Sequence, residues 1–192
     1  WSSPVHMVRK PDGKWRMCGD YRRLNTITEP DKYPLPKVQD FLHLVTDATV
    51  FSKIDLVRAF YQVPVAPGDI PKTALILPFG LYEFTRMPFG LCNAAQTFQR
   101  FIADVLRCLP RVFVYLDDIL IASRDHEQHA LDIAEVLRRL SEAGLVVSPD
   151  KCEFGKASLQ FLGHLIDKDG IRPLPDKVQA IKDFPRPINE QD

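Results

Sequence analysis

Hydrophobic and polar positions alternate along this chain with two different periods. Residues 3–21, "SPVHMVRKPDGKWRMCGDY", read as two short strands joined by a turn at "PDG". "EPDKYPLPKVQDFLHLV" begins as a Pro-rich extended piece. From Pro36 it predicts a helix with Val38, Phe41, Leu42 and Val45 on one face. "VFSKIDL" predicts a short strand with Asp55 near its C-terminal end, and "YQVPVAP" is expected to continue the sheet. "KTALILPFGLYEFTRMPFG" reads as two strands separated by the turn "PFG".

Two long stretches carry the helical period. In "NAAQTFQRFIADVLRCLP" the stripe is Phe98, Phe101, Ile102, Val105 and Leu109, with Asn93 as cap and Pro110 as stop. In "RDHEQHALDIAEVLRRLSEAG" it is Ala130, Ile133, Leu137 and Leu140, with Gly144 placed as the C′ residue. The apolar "VFVYLDDILIAS" lies between them. "LVVSPDKCEFGKASLQFLGHLIDKDGI" is turn-rich and strand-like, and "PDKVQAIKDFPRP" predicts a last short helix. Strands, helix, strands, helix, strands is the order of an α+β fold or a split βαβ arrangement, with helices on one sheet face.

Composition narrows the class. The chain has 192 residues, 45% of them hydrophobic, which suits one domain or one with a small appendage. No apolar run reaches the roughly 18 residues of a membrane span. "WSSPVHMVRK" does not read as a signal peptide, and without an initiator Met the chain is expected to be cut from a longer polypeptide. Lys plus Arg equals Asp plus Glu at 25 each, so the sum alone gives no basic footprint for nucleic acid. Locally, Arg9, Lys10, Lys14, Arg16, Arg22 and Arg23 outweigh Asp12 and Asp20, a bias that a solvated surface explains equally well. Cys18, Cys92, Cys108 and Cys152 are scattered without zinc-ligand spacing and read as reduced intracellular thiols. His126 and His129, one helical turn apart, read as a solvated helix start rather than a metal site.

Within "VFVYLDDILIAS", Asp117 and Asp118 sit side by side in apolar surroundings, where ionising both is costly. A hairpin turn that happens to use Asp-Asp accounts for the pair, although Asn-Gly or Asp-Gly turns more comfortably. Asp55 closes another apolar strand. If the two strands are neighbours, three carboxylates meet at one sheet edge and call for a counter-cation. Mg2+ takes oxygen ligands, and two such ions about 3.5 to 4 Å apart stabilise the attacking and leaving oxygens of phosphoryl transfer.

"YLDD" between apolar strands, "FSKIDLVRAFYQVPV" upstream and "LPFGLYEFTRMPFGLCNAAQTFQR" between them resemble the reverse transcriptase of gypsy-type LTR retrotransposons, relatives of the retroviruses. The resemblance runs from Ser3 to the C-terminal end. It implies a right-hand polymerase fold, with an antiparallel palm sheet backed by helices. The implied parts are partial fingers at 1–50, a palm at 51–165 with a fingers insertion around 68–88 and a primer-grip hairpin near 161–166, and the start of a thumb at 166–192. It implies Asp55, Asp117 and Asp118 as catalytic metal ligands, Asp118 the more peripheral. Lys10 and Arg16 match the residues that hold the incoming triphosphate, near the backbone from Leu56 to Ala59. Phe60 matches the steric gate against a 2′-hydroxyl, a position that plain core packing also explains. Phe89 and Gly90 resemble the loop packed on nucleotide and template, with Phe89 where retroviral enzymes usually carry Gln. Tyr115 lies beside the primer terminus. Lys151 resembles the lysine that acts as general acid near pyrophosphate, an alignment that could slip onto Cys152.

The implied cofactor is two Mg2+ ions, with Mn2+ a possible substitute. The implied partners are an RNA or DNA template with primer, a dNTP, and covalently linked RNase H and integrase domains, with no membrane. The implied location is intracellular, in a cytoplasmic virus-like particle or the nucleus. Ending at Asp192 the chain lacks most of a thumb, so a weak grip on duplex is expected. A catalytically inactive fragment that binds nucleic acid or protein, and another metal-dependent phosphotransferase, are the alternatives.

Overall fold

The computed structural model describes residues 1–9 and 13–184. Its elements are β1 (Val5–Arg9), β2 (Trp15–Gly19), α1 (Arg22–Asn25), α2 (Leu42–Val45), β3 (Val50–Asp55), β4 (Leu75–Leu77), β5 (Gly80–Tyr82), α3 (Ala94–Val105), β6 (Val112–Tyr115), β7 (Asp118–Ser123), α4 (His126–Glu142), β8 (Glu153–Lys156), β9 (Ser158–Phe161), β10 (His164–Asp167), β11 (Gly170–Pro173) and α5 (Pro175–Lys182). A four-stranded antiparallel sheet in the order β6-β7-β3-β8 forms the centre. Around it stand the hairpins β1-β2 and β4-β5 and the sheet β11-β10-β9. Among the described residues no helix is long and apolar enough to cross a membrane.

Register assigns each side chain of the central sheet to a face. Ser52 and Ile54 of β3 lie opposite Ile121 and Ile119 of β7, and this face packs on Phe98 and Ile102 of α3 and Val136 and Leu140 of α4. Phe51 lies opposite Ala122 and Lys53 opposite Leu120. This second face meets Phe41, Val45, Leu159, Phe161 and Ile166. Cover on both faces explains why β7 reads as a continuous apolar run, with Ile119, Leu120 and Ile121 all fully buried. Phe41 packs against both Phe113 and Phe161, with ring centroids 5.0 and 5.6 Å away.

Several expectations change. The helix expected from Pro36 is a 3-10 turn at Val38–Phe41 followed by the single α-turn α2; Phe41 and Val45 are buried but Leu42 is exposed. "YQVPVAP" does not join the sheet. Ala59–Gln62 is a 3-10 turn, and the extended piece after it pairs with residues 85–87 through Val65 N to Thr85 O and Met87 N to Val63 O. Pro64 and Pro67, lacking an N–H, suit that sparse pairing rather than a central ladder. Asn93 sits at the N-cap of α3 without capping it. Its amide instead accepts from Asp31 N–H and donates to Glu29 O, at 2.9 Å each. α3 stops at Val105, before the predicted Pro110, and Cys108 beyond it has φ +60°.

On α4 the expected stripe is rotated. Ile133 and Leu140 face inward, but Ala130 and Leu137 are exposed, and His129 and Val136 take the buried places. His129 is therefore no solvated helix start. It lies 2% exposed between Ser52 and Ser123. One proton order satisfies every group. Gly155 N–H donates to Ser52 Oγ (2.9 Å) and Ser52 O–H to His129 Nε2 (2.6 Å). His129 Nδ1–H donates to Ser123 Oγ (2.8 Å), and Ser123 O–H to Asp132 Oδ2 (2.7 Å). The chain of bonds pins α4 to β3, β7 and β8, and it requires a neutral imidazole.

Desolvation, opposed by Asp132 and assisted by His126, holds the His129 pKa below its ordinary value. The unfolded chain then takes up a proton that the folded chain resists. Stability is full above about pH 6.5 and falls as pH drops below it. Thermal melts between about pH 7.5 and 5.5 should show a Tm loss on acidification that is smaller in His129→Gln than in the unaltered chain. An equal slope in both would remove His129 as its source.

Candidate active site

Hairpin β6-β7 closes on the pair Tyr115 and Asp118, leaving Leu116 and Asp117 as a two-residue turn. Leu116 takes φ +52°, a region that favours glycine. Helix α3 holds it there. The buried Gln99 amide accepts from Leu116 N–H at 2.8 Å and donates to Val114 O at 3.1 Å. β6 is an edge strand, and one side chain thus supplies the donor and acceptor that a further strand would have offered. The strained turn projects Asp117 to the exposed tip.

Asp118 opens β7 and is the register partner of Asp55, which closes β3. By sheet parity both lie on the face away from α3 and α4. Asp55 is fixed through its backbone: its O accepts from Ser148 N at 2.8 Å, and its N–H points to Cys152 Sγ at 3.4 Å. Lys151 Nζ lies 3.1 Å from Asp55 Oδ1, and Lys53 Nζ lies 3.1 Å from Asp118 Oδ1. Partial desolvation pushes the Asp117 pKa above the usual carboxylate range. Asp118 and Asp55 add to the rise, and its own backbone amide and Lys151 oppose it.

A cleft of about 370 Å³ opens beside the tip, and Arg16, Leu56, Phe89, Asp117 and Lys151 line it among the expected residues. The Arg16 guanidinium stands over the Phe89 ring at 5.5 Å. Phe60 is not on the lining. It packs edge-on between Phe89 (5.0 Å) and Phe98 (5.5 Å), joining the cleft wall to the core. Gly90 also lies off the lining. Its O accepts from Asn25, its φ is +97°, and a Cβ there would come 3.3 Å from Gly19 O and Tyr21. Tyr115 closes the ladder next to the turn and packs against the Phe41 cluster. Lys10 lies outside the described residues. Lys151 and Cys152 both meet Asp55, the first by its ammonium and the second by its sulfur.

Arg58 and Ala59, within the stretch Leu56 to Ala59 expected here by its backbone, also line the cleft; sequence reasoning missed the Arg58 side chain, Trp15, Met17 and Tyr61, which complete the lining, and Lys53. Arg58 has φ +47°, which no residue pattern announces; its one signal was a charge inside the apolar "DLVRAF". The carboxylates of Asp55, Asp117 and Asp118 are an oxygen-only donor set suited to hard divalent cations. Two of the three are turned to lysines, and among the described residues no three acidic, His or Cys side chains converge as a ready-made metal cage.

For Asp117, a raised folded-state pKa means that ionisation opposes folding. The stability it contributes is present below its unfolded pKa and lost as pH rises through the folded one. Asp117→Asn should therefore raise Tm in metal-free buffer at neutral pH, with the gain shrinking toward about pH 4. A gain independent of pH would contradict the cause given.

A profile of the family described as reverse transcriptase (RNA-dependent DNA polymerase) matches residues 8–166. Over its full length the chain is 42% identical to the retrovirus-related Pol polyprotein from transposon 297 of Drosophila melanogaster, of which it spans 19%. Over 90% of its length it is 40% identical to the Pol polyprotein from transposon gypsy of the same fly, spanning 17% of it. Over 98% of its length it is 34% identical to the transposon Tf2-3 polyprotein of Schizosaccharomyces pombe, spanning 14% of it. Among solved structures, the foamy viral protease-reverse transcriptase dRH in complex with double-stranded DNA superposes with a TM-score of 0.89 at 28% identity, covering 97% of this chain and 33% of that one. The same viral protein in complex with an RNA/DNA hybrid gives 0.86 at 27% identity, covering 97% and 25%. The architecture is that of a polymerase palm and fingers, and the chain belongs to the reverse transcriptase family.

Proposed function

We propose that this chain is the catalytic core of an RNA-directed DNA polymerase, transferring a nucleotide from a dNTP to a primer 3′-hydroxyl on an RNA or DNA template. The observation that carries this reading is the register pair of Asp55 and Asp118 next to the strained tip, where Asp117 lines a cleft together with Arg16 and Lys151. In the reaction the primer 3′ oxygen attacks the α-phosphorus, and the bond to the β-phosphate breaks to release pyrophosphate. Asp55 and Asp117 would hold two Mg2+ ions, or Mn2+ in their place, with Asp118 peripheral; the ions supply charge neutralisation at the attacking and leaving oxygens. Arg16 makes charge-assisted bonds to the triphosphate. Lys151, 65% exposed and reaching Asp55 from across the cleft, turns to the leaving pyrophosphate and donates its proton. Phe60 acts through Phe89, setting the depth of the sugar pocket from below.

The same reading divides the chain into fingers at 1–50, a palm at 51–165 with an insertion at 68–88, and the start of a thumb from 166. The turn Leu162–Gly163, both with positive φ, gives β9-β10 a tight tip suited to gripping a primer end near residues 161–166. Gly90 holds the fingers segment to the palm through Asn25, and Tyr115 stands next to the primer terminus. Template, primer and dNTP are the partners, and RNase H and integrase accompany the chain in its parent polyprotein. The parent acts inside the cell, in a cytoplasmic virus-like particle or the nucleus. Solved relatives in complex with double-stranded DNA and with an RNA/DNA hybrid support the template assignment.

Primer extension on an RNA template with Mg2+ and dNTPs is the test. Asp117→Asn should lose at least about a hundredfold in rate, the scale of removing one group that stabilises transition-state charge. Equal extension by both proteins would sink the assignment. Phe60→Ala should raise ribonucleotide incorporation relative to deoxyribonucleotide, and unchanged discrimination would return Phe60 to a packing role.

A further inference from the structure

The two lysines that meet the aspartates are placed very differently. The Lys151 side chain is 65% exposed and belongs to a short 3-10 turn, Pro149–Lys151. The Lys53 side chain is 24% exposed and rises from the middle of β3, the strand with partners on both sides. Its direct cross-strand neighbours are Leu120 on β7 and Glu153 on β8. An acidic partner is thus available opposite it. The ammonium nevertheless runs diagonally along the sheet to Asp118, within reach of a long side chain. The Asp118 carboxylate is itself only 27% exposed, so the pair is shielded from solvent on both sides. Lys53, Asp55 and Asp118 share one sheet face, so the ammonium stands beside two carboxylates and bonds one.

From this geometry we infer that Lys53 is a positioning residue: a fixed internal cation that holds Asp118 out of the metal-binding set, leaving Asp55 and Asp117 as the working ligands. The inference rests on the reading of the three aspartates as the metal centre. Lys151 can leave Asp55 when a metal arrives, because solvent receives its ammonium at little cost. Lys53 has less freedom, since its stem rises from the middle of the ladder and its side chain is only 24% exposed, so its ammonium stays among the carboxylates of that sheet face. The site therefore keeps one carboxylate permanently neutralised. Affinity for hard cations rises with ligand charge count, and the Lys53–Asp118 pair lowers that count without removing the aspartate.

The experiment is a double-mutant cycle on the full chain with Lys53→Met, Asp118→Asn and the double variant, with Lys53→Arg as rescue. The first readout is the metal-free melt. Lys53→Met should lower Tm by about 2 to 4 °C, the shift expected for losing one such pair in a chain of this size. It should cost clearly less in the Asp118→Asn background, and Lys53→Arg should restore most of the loss. The second readout is the Mg2+ concentration that half-saturates binding in a calorimetric titration, with no substrate present. Lys53→Met should bind Mg2+ on the order of tenfold more tightly, the scale on which neighbours of a ligand tune metal affinity. The gain should vanish in the double variant. A purely structural lysine would move the first readout and not the second. Equal Tm loss with and without Asp118, or unchanged Mg2+ half-saturation, would overturn the inference. If Mg2+ binds to no variant, the metal reading and this inference both fail. If Mg2+ binds as expected but primers are not extended, the polymerase reading fails alone.

Discussion

Repulsion among the carboxylates of Asp55, Asp117 and Asp118 is the constraint around which the central sheet is arranged. The β3-β7 register puts Asp55 opposite Asp118, and the turn places Asp117 one residue away. Such a group cannot persist on a soft scaffold, because the charges would splay it apart. Here the two strands that carry it are buried on both faces, and their ladder extends through Val50 and Ser123. The Phe41, Phe113 and Phe161 triad clamps one side, and α3 and α4 clamp the other. Rigid packing makes the electrostatic strain available to a cation instead of letting it relax into distortion.

Backbone strain is held by the same logic at the turn. A leucine with φ +52° relaxes unless its neighbours over-determine it. Gln99 does so by bonding Leu116 N–H and Val114 O from a position that is itself buried and part of α3. α3 is held against the sheet through Phe98 and Ile102, so the position of Asp117 depends on this helix through Leu116. α4 is locked independently through the Ser52–His129–Ser123 chain. The two helices therefore cover the same sheet face by different means, one apolar with a single amide, the other with a buried polar relay.

Much of this was legible from residue pattern because the relevant signals were periodic or chemical. The paired aspartates in an apolar run, the helical stripe of Phe98 and Ile102, and the strand ending at Asp55 each announced themselves within one short window. What escaped depends on partners distant in the chain. The rotation of α4 follows from His129 finding Ser52 and Ser123, and an apolar count cannot see a polar residue buried by satisfying its bonds. The place of Arg58 depends on a left-handed backbone that its residue type disfavours. "YQVPVAP" looked like a strand because Val63 and Val65 alternate with prolines, yet the prolines that frame the pattern withhold the ladder donors. Lys53 was invisible for a plainer reason. One lysine in a strand is read as a solvent-facing position until the register shows an aspartate diagonally across from it.

The phosphoryl transfer proposed above would ask for opposite properties on the two sides of the cleft. The groups that fix the reacting oxygens must not move, because small misplacements cost much of the rate. The groups that meet the triphosphate must move, because it enters, changes charge and leaves as pyrophosphate. The structure separates these demands by burial. Asp55 stands on a doubly covered strand and Asp117 on a turn held by Gln99, whereas Lys151 extends its ammonium from an exposed turn, and Arg16 lies on a two-stranded hairpin with the cleft on one side. Arg16 also leans on Phe89, which gives its guanidinium a resting place of low polarity from which a phosphate can draw it. A cation that rests on an aromatic ring, or on a carboxylate proposed as a metal ligand, is pre-positioned without being committed. The electrostatic cost of the aspartate cluster and the looseness of Lys151 and Arg16 are then two parts of one arrangement: a fixed negative centre, one carboxylate of it held by Lys53, approached by two positive groups that can let go.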